Sequence, residues 1–427
     1  MSMRCIMIEG RIIKYYRQKS GISQEKLGQG ICSVTHLSKI ERGITEYSSE
    51  IISLLSVRLG INMKTEIKRY QQTKVLLEKW FDALVMQKKE EIFRLKEEIE
   101  NEDLINLPEN LNLYKLLLAR CYLFTNNVKE AYSIITYIEK RQLAMLSPEE
   151  KNLLKHVFGI YYFLTGQFKA CITTMENIDN GQYHNDEYYY HLALAHHSVH
   201  SNIQAYYFAS KALEYFQKTL NILRIIDTEM VMLIQLNARE HHDYKITLEK
   251  YRKLIQLCDT CNDQQRRLKL FHNLGFENMR RGYYQEASRL FNKAMSFINE
   301  DDQQYLTTLD VYINSCFKGQ LLSDEKLLDL IQHGLRLAID KKDERYILFQ
   351  LHIFSIRQQE DNYYHYLEET VIPHFRETGY YMMVEHYEKK LFYYLVNRKK
   401  TSKALDLSKS IVSSKKSFYD VDINVNT

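Results

Sequence analysis

Apolar residues in the first stretch of the chain recur at helical rather than alternating spacing. Ile12, Ile13 and Tyr16 mark one face of a helix that Gly21 stops. Ser23 is placed to cap a second helix with Leu27 and Ile31 as its apolar face. Lys26 stands where a reciprocal cap needs Glu, so that cap is one-sided. A short turn at Ile31-Cys32 leads to Ser33, the next cap, and to a helix anchored by Leu37 and Ile40 and ended by Gly43. Two short helices joined by a tight turn predict a helix-turn-helix, a motif whose second helix enters the DNA major groove.

From Ile67 onward the pattern predicts helix after helix. The clearest repeating unit is Phe271, Leu274, Gly275, Gly282, Tyr284, Ala287, Phe291 and Ala294, which matches the tetratricopeptide pattern. Its small residues sit where two helices cross closely and its large ones fill the groove between them. Weaker copies carry Ala131, Ala170, Ala205 and Thr247 at the small second-helix position, and the markers through Ala287 are 39, 35, 42 and 40 apart. About seven to nine such pairs are expected in a right-handed superhelix with a concave face suited to an extended peptide. Residues 323–375 should hold further pairs, but the pattern does not fix their register. Trp80, with Leu76, Leu77, Phe81 and Leu84, reads as the first repeat's core or a docking surface for the N-terminal domain. Lys88–Glu102 reads as a solvated helix face. The expected organisation is 1–66 helix-turn-helix, 67–415 repeat array and 416–427 polar tail, an all-α fold.

Composition sharpens this picture. Gly and Pro are only 14 and 3 of 427 residues, far below the usual ~12% together, which leaves little room for hairpin turns. The net charge of +4 resides in residues 1–66, with 10 Lys/Arg against 6 Asp/Glu; the rest of the chain balances. A small basic domain on a neutral array points to a polyanion at one end only. No run approaches the ~18 apolar residues of a membrane span. Seven scattered Cys suit buried thiols in a reducing compartment, so a cytoplasmic protein is expected.

Residues Ser23-Gln24-x-x-Leu27, Ser38-Lys39-Ile40-Glu41-Arg42-Gly43 and Leu59-Gly60-Ile61 resemble the phage-repressor-like (Xre/Cro) DNA-binding domain over about 60 positions. Gly28 and Tyr47 depart from that pattern, where Ala and Pro are usual. The resemblance implies that Gln24 touches phosphate, and that Thr35, His36 and Lys39 reach base edges. It also implies that Val34 packs on a thymine methyl, and that Ser38 and Arg42 contact the backbone. One domain of charge +4 binds weakly, so a homodimer or higher oligomer on a double-stranded operator is expected.

A repressor-type helix-turn-helix fused to a long tetratricopeptide array resembles the RRNPP group of peptide-pheromone regulators (Rap, NprR, PlcR and PrgX types). Length favours the NprR type. The resemblance implies a quorum-sensing transcription regulator that binds a short re-imported peptide, with peptide binding changing oligomeric state and DNA binding. It implies no enzyme and no cofactor, and it makes a sporulation phosphorelay response regulator a further candidate partner. A Rap-like interaction effector and a phage lysis–lysogeny regulator are the alternative readings.

An extended peptide presents N–H and C=O groups that Asn satisfies together. Asn237 and Asn278, and Asn273 and Asn314, are each 41 apart, about one repeat, and all fall in expected first helices. Arg120 is a candidate partner for a peptide carboxylate or acidic side chain, and His156, Tyr190 and His191 are further groove candidates. Cys258-x-x-Cys261 lacks a second pair, and His191, His196, His197 and His200 lack completing ligands, so no metal site is expected.

Overall fold

The computed structural model describes residues 6–45, 47–237, 243–302, 304–378 and 381–419. All regular elements among them are helical. The chain divides into two compact units, Met1–Ala195 with Glu214–Arg224, and His196–Leu213 with Ile225–Thr427.

The first unit opens with α1 (Ile6–Lys19), α2 (Gln24–Gly28), α3 (Val34–Arg42) and α4 (Ser49–Leu59). The caps read from the sequence are present. Ser23 and Ser33 accept from the backbone N–H groups of Lys26 and His36, and Gly43 closes α3 in the left-handed region at φ 66°. Ile13, Leu27, Leu37, Ile40, Ile52 and Leu55 form the sealed core of these helices. The helices α5 (Met63–Met86), α6 (Lys89–Glu100), α7 (Pro108–Phe124), α8 (Val128–Arg141), α9 (Pro148–Leu164) and α10 (Phe168–Glu176) then form successive hairpins. Trp80 is fully buried and stacks on Tyr114, so it belongs to the α5–α7 core. α6 is not merely a solvated face, since it buries Ile92, Leu95 and Ile99.

The N-terminal helices are docked on these hairpins. Ile8 and Ile12 of α1 share a core with Tyr70, Leu104 and Leu107. Around it Tyr16 donates to Glu66 at 2.6 Å, Lys19 pairs with Asp103 at 2.6 Å, and Arg11 pairs with Glu109. The exposed pairs are screened by water and contribute little, so the apolar core does most of the holding.

The helices α11 (Tyr188–Ser198), α12 (Asn202–Lys218) and α13 (Ile222–Asn237) have residues in both units. The second unit continues with α14 (Tyr244–Thr260), α15 (Gln264–Arg280), α16 (Tyr284–Met295), α17 (Tyr305–Lys318), α18 (Asp324–Asp340) and α19 (Tyr346–Ile356). It ends with α20 (Glu360–Tyr366), α21 (Ile372–Glu377), α22 (Tyr381–Asn397) and α23 (Thr401–Tyr419). Residues 420–427 of the expected tail lie outside the described residues. Gly275 lets α15 and α16 cross closely, because a Cβ there would sit 2.6 Å from the Phe291 ring.

Two register readings change. The small second-helix position of α10 is Cys171, which is fully buried, and not Ala170, which is half-buried. In 323–375, α18 and α19 pair as a regular hairpin, and the irregularity is confined to the last part of the segment. Leu367–Val371 forms a π turn between α20 and α21, just before Pro373. Pro lacks the N–H that an α-helix needs and crowds the preceding turn, so the ladder widens by one residue there.

Candidate functional sites

On α3, Val34, Thr35, Lys39 and Arg42 are exposed, while His36 and Ser38 are half-buried. This outward stripe is held from behind by Glu41, only 3% exposed. Glu41 accepts from Arg17 Nε at 2.6 Å and Nη2 at 2.8 Å, and from Gln24 Nε2 at 2.8 Å. The Gln24 amide is thus committed to Glu41, a tie between α2 and α3 that the sequence pattern did not reveal. Arg42 Nε donates to the Ser38 carbonyl at 3.2 Å. Arg58 of α4 donates to the carbonyls of Leu27 and Gln29 at 2.9 and 2.5 Å, bracing the end of α2. Neither Arg17 nor Arg58 was singled out from sequence; both act through contacts distant along the chain.

In the first unit, two arginines on different helices, Arg120 and Arg224, converge on one carboxylate. Glu187, fully buried, pairs with Arg120 of α7 and with Arg224 Nη2 at 2.9 Å. The Arg120 guanidinium lies over Phe81 at 5.5 Å and that of Arg224 over Tyr190 at 4.5 Å. The two cations hold the Glu187 carboxyl far below its ordinary range, against the opposing cost of burial. Arg120 is therefore engaged within the chain, although its Nη1 has no hydrogen-bond partner among the described residues.

Beside this hub, His156 bonds Tyr183 Oη at 2.8 Å through Nδ1 and His191 Nδ1 at 3.0 Å through Nε2. Burial, then each other's proximity and the Arg charges, lowers His156 well below 6.5; burial first lowers His191 to about 3. Both rings are neutral when folded but take protons near about 6.5 when unfolded. Their contribution to stability is complete above about pH 6.5 and declines as pH falls toward about 3. The melting temperature should therefore drop between pH 7 and 5, and His191→Gln should flatten that slope. An unchanged slope in the variant would remove the imidazoles as its cause.

The candidate amides separate into two kinds. Asn278 is buried and satisfied, donating to the Leu274 carbonyl at 2.8 Å and accepting from Tyr244 Oη at 2.7 Å. Asn273 on α15 and Asn314 on α17 are half-buried and make no side-chain hydrogen bond among the described residues. The side chain of Asn237 lies outside the described residues. Asp310 of α17 meets His352 Nε2 of α19 at 2.6 Å, a contact between repeats that no spacing rule predicted. Cys258 is buried and Cys261 exposed, both as free thiols. Among the described residues no His, Cys, Asp and Glu group could hold a metal ion, and no helix is long and apolar enough to cross a membrane.

A helix-turn-helix family model matches residues 13–64. The chain is 21% identical over 391 residues to the transcriptional activator NprA of Geobacillus stearothermophilus, covering 88% of this chain and 95% of that protein. Its fold is similar to the apo form of the quorum sensor NprR from B. thuringiensis, with TM-score 0.64 and 22% identity over 80% of this chain and 98% of that one. NprR in complex with its cognate peptide NprX is similar at TM-score 0.63 and 22% identity, with the same coverage. These likenesses establish the fold class as all-α, a helix-turn-helix followed by a tetratricopeptide-type array.

Proposed function

We propose, on the premise that this chain is an RRNPP-type regulator akin to NprR, that it is a transcription regulator whose DNA binding is controlled by a short signalling peptide. In this reading residues 1–66 read an operator through α3, and 67–415 sense the peptide along the first helices of the repeats. The relatives are named as an activator and as quorum sensors, which supports a regulator and not an enzyme.

The observation that carries the peptide reading is the pair Asn273 and Asn314. They lie on α15 and α17, first helices of consecutive pairs, and both amides are unpartnered among the described residues. An Asn side chain offers a donor and an acceptor together, which matches one peptide group of an extended chain. Peptide binding across several repeats favours one arrangement of the array and so shifts the oligomeric state that presents α3 to DNA.

The test uses the full-length protein, an operator found by selection from random duplexes, and a pool of synthetic heptapeptides. Peptide should alter both oligomeric state and operator affinity. Asn314→Ala should weaken peptide binding about fivefold or more, the scale of one hydrogen bond of about 1 kcal/mol. Lys39→Ala should weaken operator binding about tenfold without unfolding the domain. If no peptide in the pool changes either property, the switching mechanism is wrong.

A further inference from the structure

α15 and α17 carry the same short pattern in the same register. Asn273 and Phe276 are the tenth and thirteenth residues of α15, and Asn314 and Phe317 are the tenth and thirteenth of α17. A three-residue interval puts each Asn and its Phe on one helix face. The two helices touch directly, so the two modules lie side by side.

On α15 the other faces are occupied. Arg266 pairs with Asp227 of α13 at 2.7 Å, Asn278 accepts from Tyr244 of α14 at 2.7 Å, and Gly275 admits the Phe291 ring of α16. The remaining stripe carries Lys269, Asn273, Phe276 and Arg280. Phe276 is 41% exposed, although its ring is held by edge contacts with His272 at 4.9 Å and Phe291 at 5.7 Å. On α17, Phe317 is half-buried, with one side against the core of Leu309, Ile313 and Cys316. Both Asn amides are unpartnered among the described residues. One exposed Phe needs no explanation. A fixed ring beside an unpartnered amide, repeated in register on the next first helix, does.

The spacing points to the occupant. Packed helices stand about 8–10 Å apart. A polyproline-II chain rises about 3.1 Å per residue with three residues per turn, so its side chains return to one side every ~9 Å. A β-strand alternates sides, so residues three apart in it face opposite ways. Two identical modules one helix apart therefore match the polyproline-II repeat and not the β-strand repeat.

We propose that Phe276 and Phe317 are specificity residues for the bound peptide. Asn273 and Asn314 take peptide groups three residues apart, and the two rings take apolar side chains at the same interval. The ligand class is an extended, polyproline-II-like peptide with apolar residues at positions n and n+3. This inference rests on the peptide reading above and adds the side-chain pattern that the groove selects.

Three heptapeptide pools of equal charge test it on the full-length protein by calorimetry, each sampling every frame. The first has apolar residues at n and n+3, the second has them at n and n+2, and the third replaces them by Ser and Thr. The wild type should bind the first pool about fivefold or more tightly than the second, which fills only one ring, and more tightly still than the third. Phe276→Ser should make the first two pools equal, and Phe276→Leu should keep the preference. Melting temperatures of the variants separate loss of binding from loss of fold, and the comparison of pools on the wild type needs no variant. Equal affinity of the wild type for the first two pools, or a preference unchanged in folded Phe276→Ser, overturns the specificity role. If Asn314→Ala still weakens binding in that case, the peptide reading stands. No binding by any pool overturns both.

Discussion

Gly10→Ala is expected to cost the protein most of its operator affinity. Gly10 of α1 lies directly on the backbone of α3, and a Cβ there would sit 2.0 Å from the Ile40 carbonyl oxygen and 2.8 Å from its carbon. No rotamer relieves a clash between a Cβ and a backbone. That same oxygen accepts the Gly43 N–H at 2.9 Å, so it is fixed by the cap that ends the reading helix. Ala gains about 1 kcal/mol of helix propensity over Gly. Overpacking against an immobile neighbour costs about 1–3 kcal/mol or more, and here the displaced neighbour is the reading helix itself. Gly28→Ala is the matched control. Its Cβ would meet Leu37 Cδ2 at 3.7 Å and Cys32 Sγ at 3.9 Å, ordinary contacts. Operator titrations should show at least about a tenfold loss for the first variant and none for the second. Wild-type affinity in Gly10→Ala would mean that the α1–α3 contact does not constrain the reading helix.

Removing the carboxylate at the centre of the buried hub should be the most destabilising single change in the repeats. Glu187→Gln removes the anion between two arginines and leaves the buried Arg120 guanidinium without the carboxylate it pairs with. Breaking a buried pair in this way costs about 3–5 kcal/mol, because the orphaned charge has no water to return to. For a unit of this size that corresponds to a fall of roughly 6 °C or more in melting temperature. Thermal unfolding of the variant against the wild type measures it directly. A shift of only a degree or two would show that water reaches the guanidinium groups. Exposed pairs such as Lys253–Glu249 should show no such dependence.

The comparison between pattern and structure has a physical logic. Ser23, Ser33 and Gly43 were legible because capping is local and each residue acts on a backbone group within a few positions. The tetratricopeptide unit around Gly275 was legible for a similar reason, since its two helices are neighbours in the chain. The Glu187 hub was not. Its partners lie 67 and 37 residues away, and a single Glu among Tyr and Asn carries no periodic mark. Arg120 looks in the sequence like a residue awaiting a ligand, because its partner Glu187 lies 67 residues away. Gly10 escaped notice because only the tertiary approach of α3 demands the missing side chain. Among the Asn candidates, spacing identified the helices correctly but did not separate Asn278, which ties two helices together, from Asn273 and Asn314, which tie nothing.

The docking of α1 on the first hairpins bears on how tolerant the protein is of its DNA. α4 ends at Leu59 and α5 begins at Met63, so the covalent link is three residues and spans at most about 11 Å. With Ile8 and Ile12 also sealed against Tyr70 and Leu104, the reading head has no leash. It turns only as the hairpins beneath it turn. In the oligomer proposed above, two such heads would act like the jaws of a fixed-gauge caliper. One base pair inserted between half-sites rotates the second site by about 34°, and the jaws have no slack to follow it. Operator spacing then becomes a property of the protein as stringent as the bases themselves.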